Sequence, residues 1–458
     1  MTVDTIIEGG RVVSGDQSFE GAVAIDDGTI VGLGDRDRLP DAERTIDASG
    51  KVVMPGIIDP HVHIDDHVSI DTYETATKAA ALGGVTTVID FAWQAYDGEG
   101  SAWDENGTLM EGIERKRDKA TDALVDYSFH GGILREGDDL FDEMEDVVDA
   151  GVTSFKMYTA YDFGLSNGYI HRVLEELSEL GAVGVGHTEE DTVCEQVTAD
   201  LREEGHGPSV YPQSRPDYTE AMAADNVARM ARELDAKYYG IHTSCRKSAE
   251  AIERHQADGS TIRGETCTHY TSLTGDLHEE MGNLPRIAPP LRTEDDIEAL
   301  FDALTSDVLS VVSTDHVAQK RRKKEESNWW EGPFGANGLQ VSLPVFHDEA
   351  VNERGLSYRF LSQVMSRNPA ETFGLPQKGT LEPGTDADIV VFDPDVEQTI
   401  SAANNASNAD YSIYEGRSVR GAVDTTIVRG EVVARDGAVV GNPGHGAFVE
   451  RELPDWSN

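Results

Sequence analysis

The stretch Pro55-Gly-Ile-Ile-Asp-Pro-His-Val-His-Ile64 carries an apolar run that ends in two histidines spaced i and i+2. In a strand, side chains at that spacing point to the same face. Two imidazoles side by side at a strand end can grip one divalent cation. Taken alone, the pair is better explained by ordinary hydrogen bonds, so its meaning depends on what the rest of the chain places beside it.

Outward from that stretch, residues 57 to about 375 alternate between strand and helix patterns. Strand-like runs lie at 57–64, 86–92, 124–134, 154–160, 182–187, 237–244, 261–269 and 309–316, and helical spacing appears at 72–82, 140–150, 169–180 and 294–305. Eight strands alternating with helices predict an α/β fold of the (β/α)8 type, a TIM barrel. A doubly wound open sheet is the alternative, but no Gly-rich phosphate loop supports it. Residues 1–54 read differently, as short strands at 5–13, 22–26 and 29–33 broken by Gly-Gly, Asp-Gly and Gly-Asp turns. Strand patterns return at 388–392, 420–428 and 431–435. Chain ends often lie together, so segments 1–54 and 376–458 are expected to form one composite β-sandwich beside a barrel of residues 55–375.

Composition narrows the function classes. With 38 Lys+Arg against 85 Asp+Glu, the 458-residue chain carries a formal charge of −47. Such a surface repels nucleic acid and anionic membranes, so neither is expected as a partner. The acid is spread along the chain, hydrophobics still make up 38%, and arginine outnumbers lysine by more than two to one. Molar salt screens self-repulsion of this size, so a halophilic protein that loses structure in dilute buffer is expected. Cys194, Cys245 and Cys267 show no CxxC spacing, which argues against a disulfide framework or a thiolate metal site. No run stays apolar for 18 residues and no signal-peptide pattern opens the chain, so a cytoplasmic location is expected.

In barrel proteins the chemistry collects where the strands end. Those ends hold His61 and His63 on the first strand, Lys156 on the fourth, His187 on the fifth, His242 on the sixth and Asp315 on the eighth. Singly, a histidine here could be a satisfied core residue, Asp315 a helix cap and Lys156 a rim residue reaching solvent. All six at the ends of strands in one barrel are harder to explain that way. An ammonium among cations would be repelled, so such a site would depress the Lys156 pKa. A neutral amine can take up carbon dioxide and become a carbamate, able to bridge two metals about 3.5–4 Å apart. Four histidines, that bridge and one aspartate suit two zinc ions and a bridging hydroxide, with Asp315 passing the proton to a leaving nitrogen.

The same motifs recur in order along a known family. Gly56-Ile-Ile-Asp-Pro-His-Val-His63, Lys78-Ala-Ala-Ala-Leu-Gly-Gly-Val-Thr-Thr-Val-Ile-Asp-Phe91, Ser154-Phe-Lys-Met-Tyr-Thr-Ala-Tyr161 and Glu265-Thr-Cys-Thr-His-Tyr270 are followed by Ala288-Pro-Pro-Leu-Arg292, Ser313-Thr-Asp-His316, Gly335-Ala-Asn-Gly338 and Tyr414-Glu-Gly416. Over essentially its whole length the chain resembles the cyclic amidohydrolases, specifically the dihydropyrimidinase/hydantoinase branch. The resemblance implies hydrolysis of a ring amide C–N bond in a dihydropyrimidine or hydantoin, two zinc ions, a carboxylated lysine and usually a homotetramer. It implies that His61, His63 and Asp315 hold one metal, that His187 and His242 hold the other, and that Lys156 bridges. It places Tyr161 where a hydroxyl stabilises the oxyanion, and Ala288 and Asn337 where backbone groups hold the cyclic amide; serine is usual at the Ala288 position. Allantoin or dihydroorotate is the alternative substrate, and a non-catalytic scaffold relative is the alternative class.

Three stretches depart from the family pattern. The loop Ile64-Asp-Asp-His-Val-Ser-Ile70 is shorter and more polar, His187 is followed by Thr-Glu-Glu-Asp, and Asp315 by His-Val-Ala-Gln and then Lys320-Arg-Arg-Lys-Lys324. The basic run reads either as a solvated loop paired with acidic neighbours or as a lid that attracts an anionic substrate. Trp329 and Trp330 are expected to pack. His67 and His316 are candidates to hold a ligand residue from behind.

Overall fold

A computed structural model describes residues 2–15, 17–94 and 107–457. Its two sheets meet at Gly56, the single residue between β5 (Val52–Pro55) and β6 (Ile57–Val62). A Cβ at Gly56 would lie 2.2 Å from Thr86 Oγ1, so no larger residue fits. Its N–H donates to Asp388 O at 2.8 Å and pins the join to the C-terminal part of the chain.

From β6 the chain builds the expected barrel: β7 (Val85–Trp93), β8 (Asp126–Gly132), β9 (Ser154–Tyr158), β10 (Val183–His187), β11 (Lys237–Gly240), β12 (Ile262–Cys267) and β13 (Val311–Ser313). Each hydrogen-bonds to its sequence neighbours, and the pairings are parallel. All eight expected runs form strands. Because both faces are covered, the runs are apolar without alternation; β7 is buried at every position. The seam between first and last strand is a parallel Val62–His316 bridge, with His63 N donating to His316 O at 2.8 Å. Local signals set the helices: Thr72 and Thr75 form a capping box on Tyr73–Leu82, and Thr293 and Asp296 form one on Glu294–Thr305. The expected helix at 140–150 is shorter, Met144–Asp149. Asp138–Leu140 form a separate 3-10 turn before it, and the Glu143 carboxylate between the two accepts from Leu109 N (2.8 Å) and Met110 N (3.1 Å), at the start of the helix Leu109–Lys119.

The remaining strands form one composite sheet, as expected: β1 (Thr2–Ser14), β2 (Gln17–Asp26), β3 (Thr29–Gly34), β4 (Asp41–Asp47) and β5 with β14 (Ile389–Thr399), β15 (Ser418–Val428), β16 (Glu431–Arg435) and β17 (Ala438–Val439). The order is β17-β16-β15-β14-β5-β1-β2-β3. A bulge between Glu8 and Gly10 lets the first half of β1 pair with β4 and the second with β5. Ile7, Val23, Ile25 and Ile46 share one apolar core with Ile389, Val391 and Ile427, so both chain ends close over the same interior. The two sheets are also joined electrostatically. Buried Lys378 lies 2.8 Å from Asp126 at the start of β8 and 2.7 Å from Asp388 before β14, with Asp386 at 3.0 Å.

Candidate active site

The six residues expected to bind metal converge at one mouth of the barrel. His61 Nε2 lies 3.0 Å and His63 Nε2 3.5 Å from Asp315 Oδ1, and the three residues form one tight group of potential donor atoms. Opposite them, His187 Nδ1 and His242 Nε2 stand 2.8 Å apart, and the His61 and His242 ring centroids are 5.3 Å apart. Buried Lys156 lies over the Phe91 ring (5.1 Å) and the Tyr158 ring (4.7 Å). Two of these residues and Tyr161 have left-handed backbone: φ is 39° at His242, 45° at Asp315 and 75° at Tyr161. Such conformations cost about 1–3 kcal/mol each and persist only where the surroundings impose them. At Asp315 the restraint is Asp59. Its Oδ1 accepts from His61 N (3.1 Å) and Thr314 N (3.3 Å), and its Oδ2 from Thr314 Oγ1 (2.6 Å), clamping both sides of the seam.

Carboxylates behind the histidines fix which ring nitrogen faces the centre. Glu265 Oε1 is 2.5 Å from His61 Nδ1 and Glu265 Oε2 accepts from Tyr239 at 2.9 Å; Glu265 Oε1 also takes the His242 backbone N–H at 3.2 Å. Glu189 Oε2 is 3.1 Å from His187 Nε2, and Arg215 grips that carboxylate through Nε (2.8 Å) and the terminal nitrogen (2.6 Å). An ionised carboxylate only accepts, so His61 carries a proton on Nδ1 and His187 on Nε2. Lone pairs are thereby turned inward, His61 Nε2 toward the Asp315 carboxylate and His187 Nδ1 toward His242. Two acceptors at such distances are favourable only with a proton or a cation between them, and nitrogen plus carboxylate oxygen is a donor set that divalent zinc takes readily. The residues therefore fit a metal in each of the two groups, with Lys156 lining the same cavity. The charges agree. Burial would push the His61 imidazole down, but the Asp315 and Glu265 carboxylates hold it up at about 9. Against the penalty of its own burial, Asp315 is held well below the usual carboxylate range by His61 and His63. Burial pushes His187 down to about 4 and the Lys156 amine down to about 7, which raises the share of neutral amine, the form that adds carbon dioxide, near pH 7.

The mouth opens into a cavity of about 590 Å³, within the range of small-molecule sites. His61, His63, Lys156, His187, His242 and Asp315 form its floor, and Tyr161, Ala288, Phe334 and Gly335 belong to its walls. The Tyr161 ring packs 5.0 Å from that of His187, and burial pushes its hydroxyl pKa well up, so it is a neutral donor. Asn337 lies two residues beyond Gly335, buried and outside the cavity lining. Trp329 packs against Val210 and Tyr211 and donates to His206 O at 2.9 Å. His67 lines the cavity. His316 faces Asp71 (2.9 Å) and accepts from Gly338 N (3.1 Å), so it braces the seam.

Sequence reasoning missed Glu265, Glu189, Arg215, Asp59 and Asp66. For Glu265 a signal existed, a charge inside an otherwise buried strand, and Asp59 shares the strand face of His61 and His63. Asp66 Oδ2 lies 3.7 Å from His63 Nδ1 and 3.6 Å from Lys116, in the short loop after the second histidine. For Arg215, 26 residues from Glu189, no local pattern pointed to the pairing.

Comparison with known proteins agrees with this geometry. Residues 52–433 match the amidohydrolase family, so the protein is an amidohydrolase. Among curated relatives, the D-hydantoinase of Streptomyces coelicolor is 34% identical over 391 residues, 83% of this chain and 82% of that one. The L-hydantoinase of Paenarthrobacter aurescens is 31% identical over 389 residues, again 83% of this chain and 82% of that one. The crystal structure of dihydropyrimidinase from Brevibacillus agri superposes with a TM-score of 0.92 at 31% identity, covering 98% of this chain and 99% of that one. The chain belongs to the hydantoinase and dihydropyrimidinase branch of the amidohydrolases.

Proposed function

We propose that this hydrolase of cyclic amides opens the ring of a hydantoin or dihydropyrimidine at an amide C–N bond, using two zinc ions. The observation that carries the reading is the inward-facing donor set: His61, His63 and Asp315 on one side, His187 and His242 on the other, with the buried Lys156 lining the same cavity. In this reading the first three would hold one ion, the two remaining histidines would hold the second, and Lys156, if carboxylated, would supply an anionic ligand to both. When bound, the two ions supply an acidified water and polarise the ring carbonyl. Glu265 and Glu189 hold His61 and His187 in the tautomers that leave their inner nitrogens free. Asp315 accepts the proton released from the attacking water and returns it to the departing ring nitrogen. Tyr161 donates its hydroxyl to the oxygen that becomes negative as the carbonyl turns tetrahedral. The backbone of Ala288, on the cavity wall, holds the cyclic amide; Asn337 lies outside the lining and reaches the ring only if the wall at Gly335 shifts on binding. A non-catalytic scaffold would have no need to keep this donor set together with the carboxylates behind it.

Residues 55–375 form the catalytic unit in this reading, and 1–54 with 376–458 its β companion. The proposal includes a homotetramer in a cytoplasm of high salt: with a charge of −47, the melting temperature should fall as KCl is withdrawn. An unchanged melting temperature in dilute buffer would remove the halophilic part. Among the described residues no helix is long and apolar enough to cross a membrane.

The test is ring-opening turnover by purified protein, with zinc, on dihydrouracil, hydantoin, allantoin and dihydroorotate. Opening of hydantoin or dihydrouracil is expected, with a metal content near two per chain. Preference for allantoin or dihydroorotate would reassign the substrate, and metal-loaded protein inert on all four would defeat the proposal. Lys156→Ala should abolish turnover and be partly rescued by a short carboxylic acid with added zinc; near-normal activity without additive would rule out the bridge.

A further inference from the structure

The basic run Lys320–Lys324 is the largest local departure from the acidity of this chain, and the structure separates its five cations by what they touch. Lys320 Nζ donates to Asn408 O. Arg321 pairs with Glu325 at 3.1 Å and Arg322 with Glu326 at 2.8 Å, one turn along the helix Arg321–Glu325 and just beyond it. Lys324 is buried, and its Nζ bonds to three backbone carbonyls, Leu284 (2.7 Å), Arg286 (3.0 Å) and Gly335. These contacts make Lys324 an internal post that holds this helix to the cavity wall at Gly335. Lys323 is what remains. Its side chain is exposed, lines the cavity, and has no hydrogen-bond or carboxylate partner among the described residues.

A cation fixed at the mouth of a substrate cavity by the burial of its neighbour has one obvious complement, an anion carried by whatever fills the cavity. Two carboxylates share the same walls, Asp162 and Glu331. Glu331 is exposed, its Oε2 accepts from Asn328 at 3.0 Å, and it makes no ion pair with Lys323 among the described residues, so it leaves that cation unneutralised. Asp162, on the loop that follows Tyr161, disfavours an anion on its own side and leaves the Lys323 side as the place for one. No floor residue pairs with the Lys323 side chain among the described residues. We propose that Lys323 is a specificity residue that recognises a carboxylate-bearing side group on the ring to be opened. This inference rests on the ring-opening function proposed above.

The test compares hydantoins substituted at C5 with a carboxymethyl or a carbamoylmethyl group, near-isosteres that differ in charge, with unsubstituted hydantoin and dihydrouracil alongside. The wild-type kcat/KM should favour the carboxylate over the amide by about fivefold, the size of one partly exposed ion pair, and the preference should shrink as KCl rises. Lys323→Gln should bring the ratio to about one, Lys323→Arg should keep it, and Arg322→Gln, which removes the same charge one residue away, should also keep it. A wild-type ratio of one or below, or a preference that survives in Lys323→Gln, overturns the inference while leaving the ring-opening reading intact. Failure to open any ring, the unsubstituted ones included, overturns that reading and this inference with it.

Discussion

The floor of the cavity and its rim are built on opposite principles. On the floor, each functional side chain is buried and held by a second group that is itself held: Arg215 grips Glu189, which orients His187, and Tyr239 meets Glu265, which orients His61. On the rim, positions are set by backbone and apolar packing, as with Lys324 and Trp329, and the charges there are exposed and replaceable. A site divided this way can keep its reaction while its side-group preference changes, because rim substitutions break no chain of partners on the floor.

The division can be broken or sharpened by mutation. Asp315→Asn removes the proton acceptor and should lower kcat by about 10⁴-fold, read by steady-state turnover; a loss under tenfold would free Asp315 from that role. Glu189→Gln leaves the Arg215 guanidinium buried and unpaired, and should cost about 3–5 kcal/mol of stability near neutral pH, measured by denaturant unfolding. Burial would raise the Glu189 carboxyl, but Arg215 and His187 hold it well below its ordinary 4.5. The contribution is therefore whole above that value and is lost as pH falls from there toward the folded-state value. The gap between wild type and variant should narrow on acidification, and a gap constant from pH 7 to pH 3 would contradict the pairing. Tyr161→Phe should reduce kcat by about 10²–10³-fold with little change in the melting curve. Glu265→Gln should weaken metal binding by about 10–100-fold, seen by competition against a chelator. On the rim, Arg322→Gln should change stability by less than about 0.5 kcal/mol; a larger loss would show that the rim too carries the fold.

What was legible in the sequence follows the same line. Barrel strands buried on both faces leave continuous apolar runs, and ligands at their ends stand out as polar interruptions, so His61, Lys156, His187 and Asp315 could be read in place. Strand β4 escaped because Asp41–Asp47 is mostly exposed and charged, leaving no pattern for burial to impress. Arg215 escaped because its meaning lies in a contact 26 residues away. The basic run was visible, but the roles of its five members depend on carbonyls supplied by distant loops.

The seam between β6 and β13 has a consequence for how the protein comes to exist. Asp59 and Thr314, which clamp it, are 255 residues apart, so His61 and His63 meet Asp315 only after almost the entire barrel has been laid down. Contacts of such long range are costly in loop entropy and form late. During synthesis the His187 and His242 side can assemble while the other side is still half missing, and an ion captured by His61, His63 and Asp315 acts as a clasp on a ring already formed. Any ligand that binds only the closed ring adds its binding free energy to folding. If the proposed ions bind there, metal supply would set the yield of finished barrels as well as their turnover.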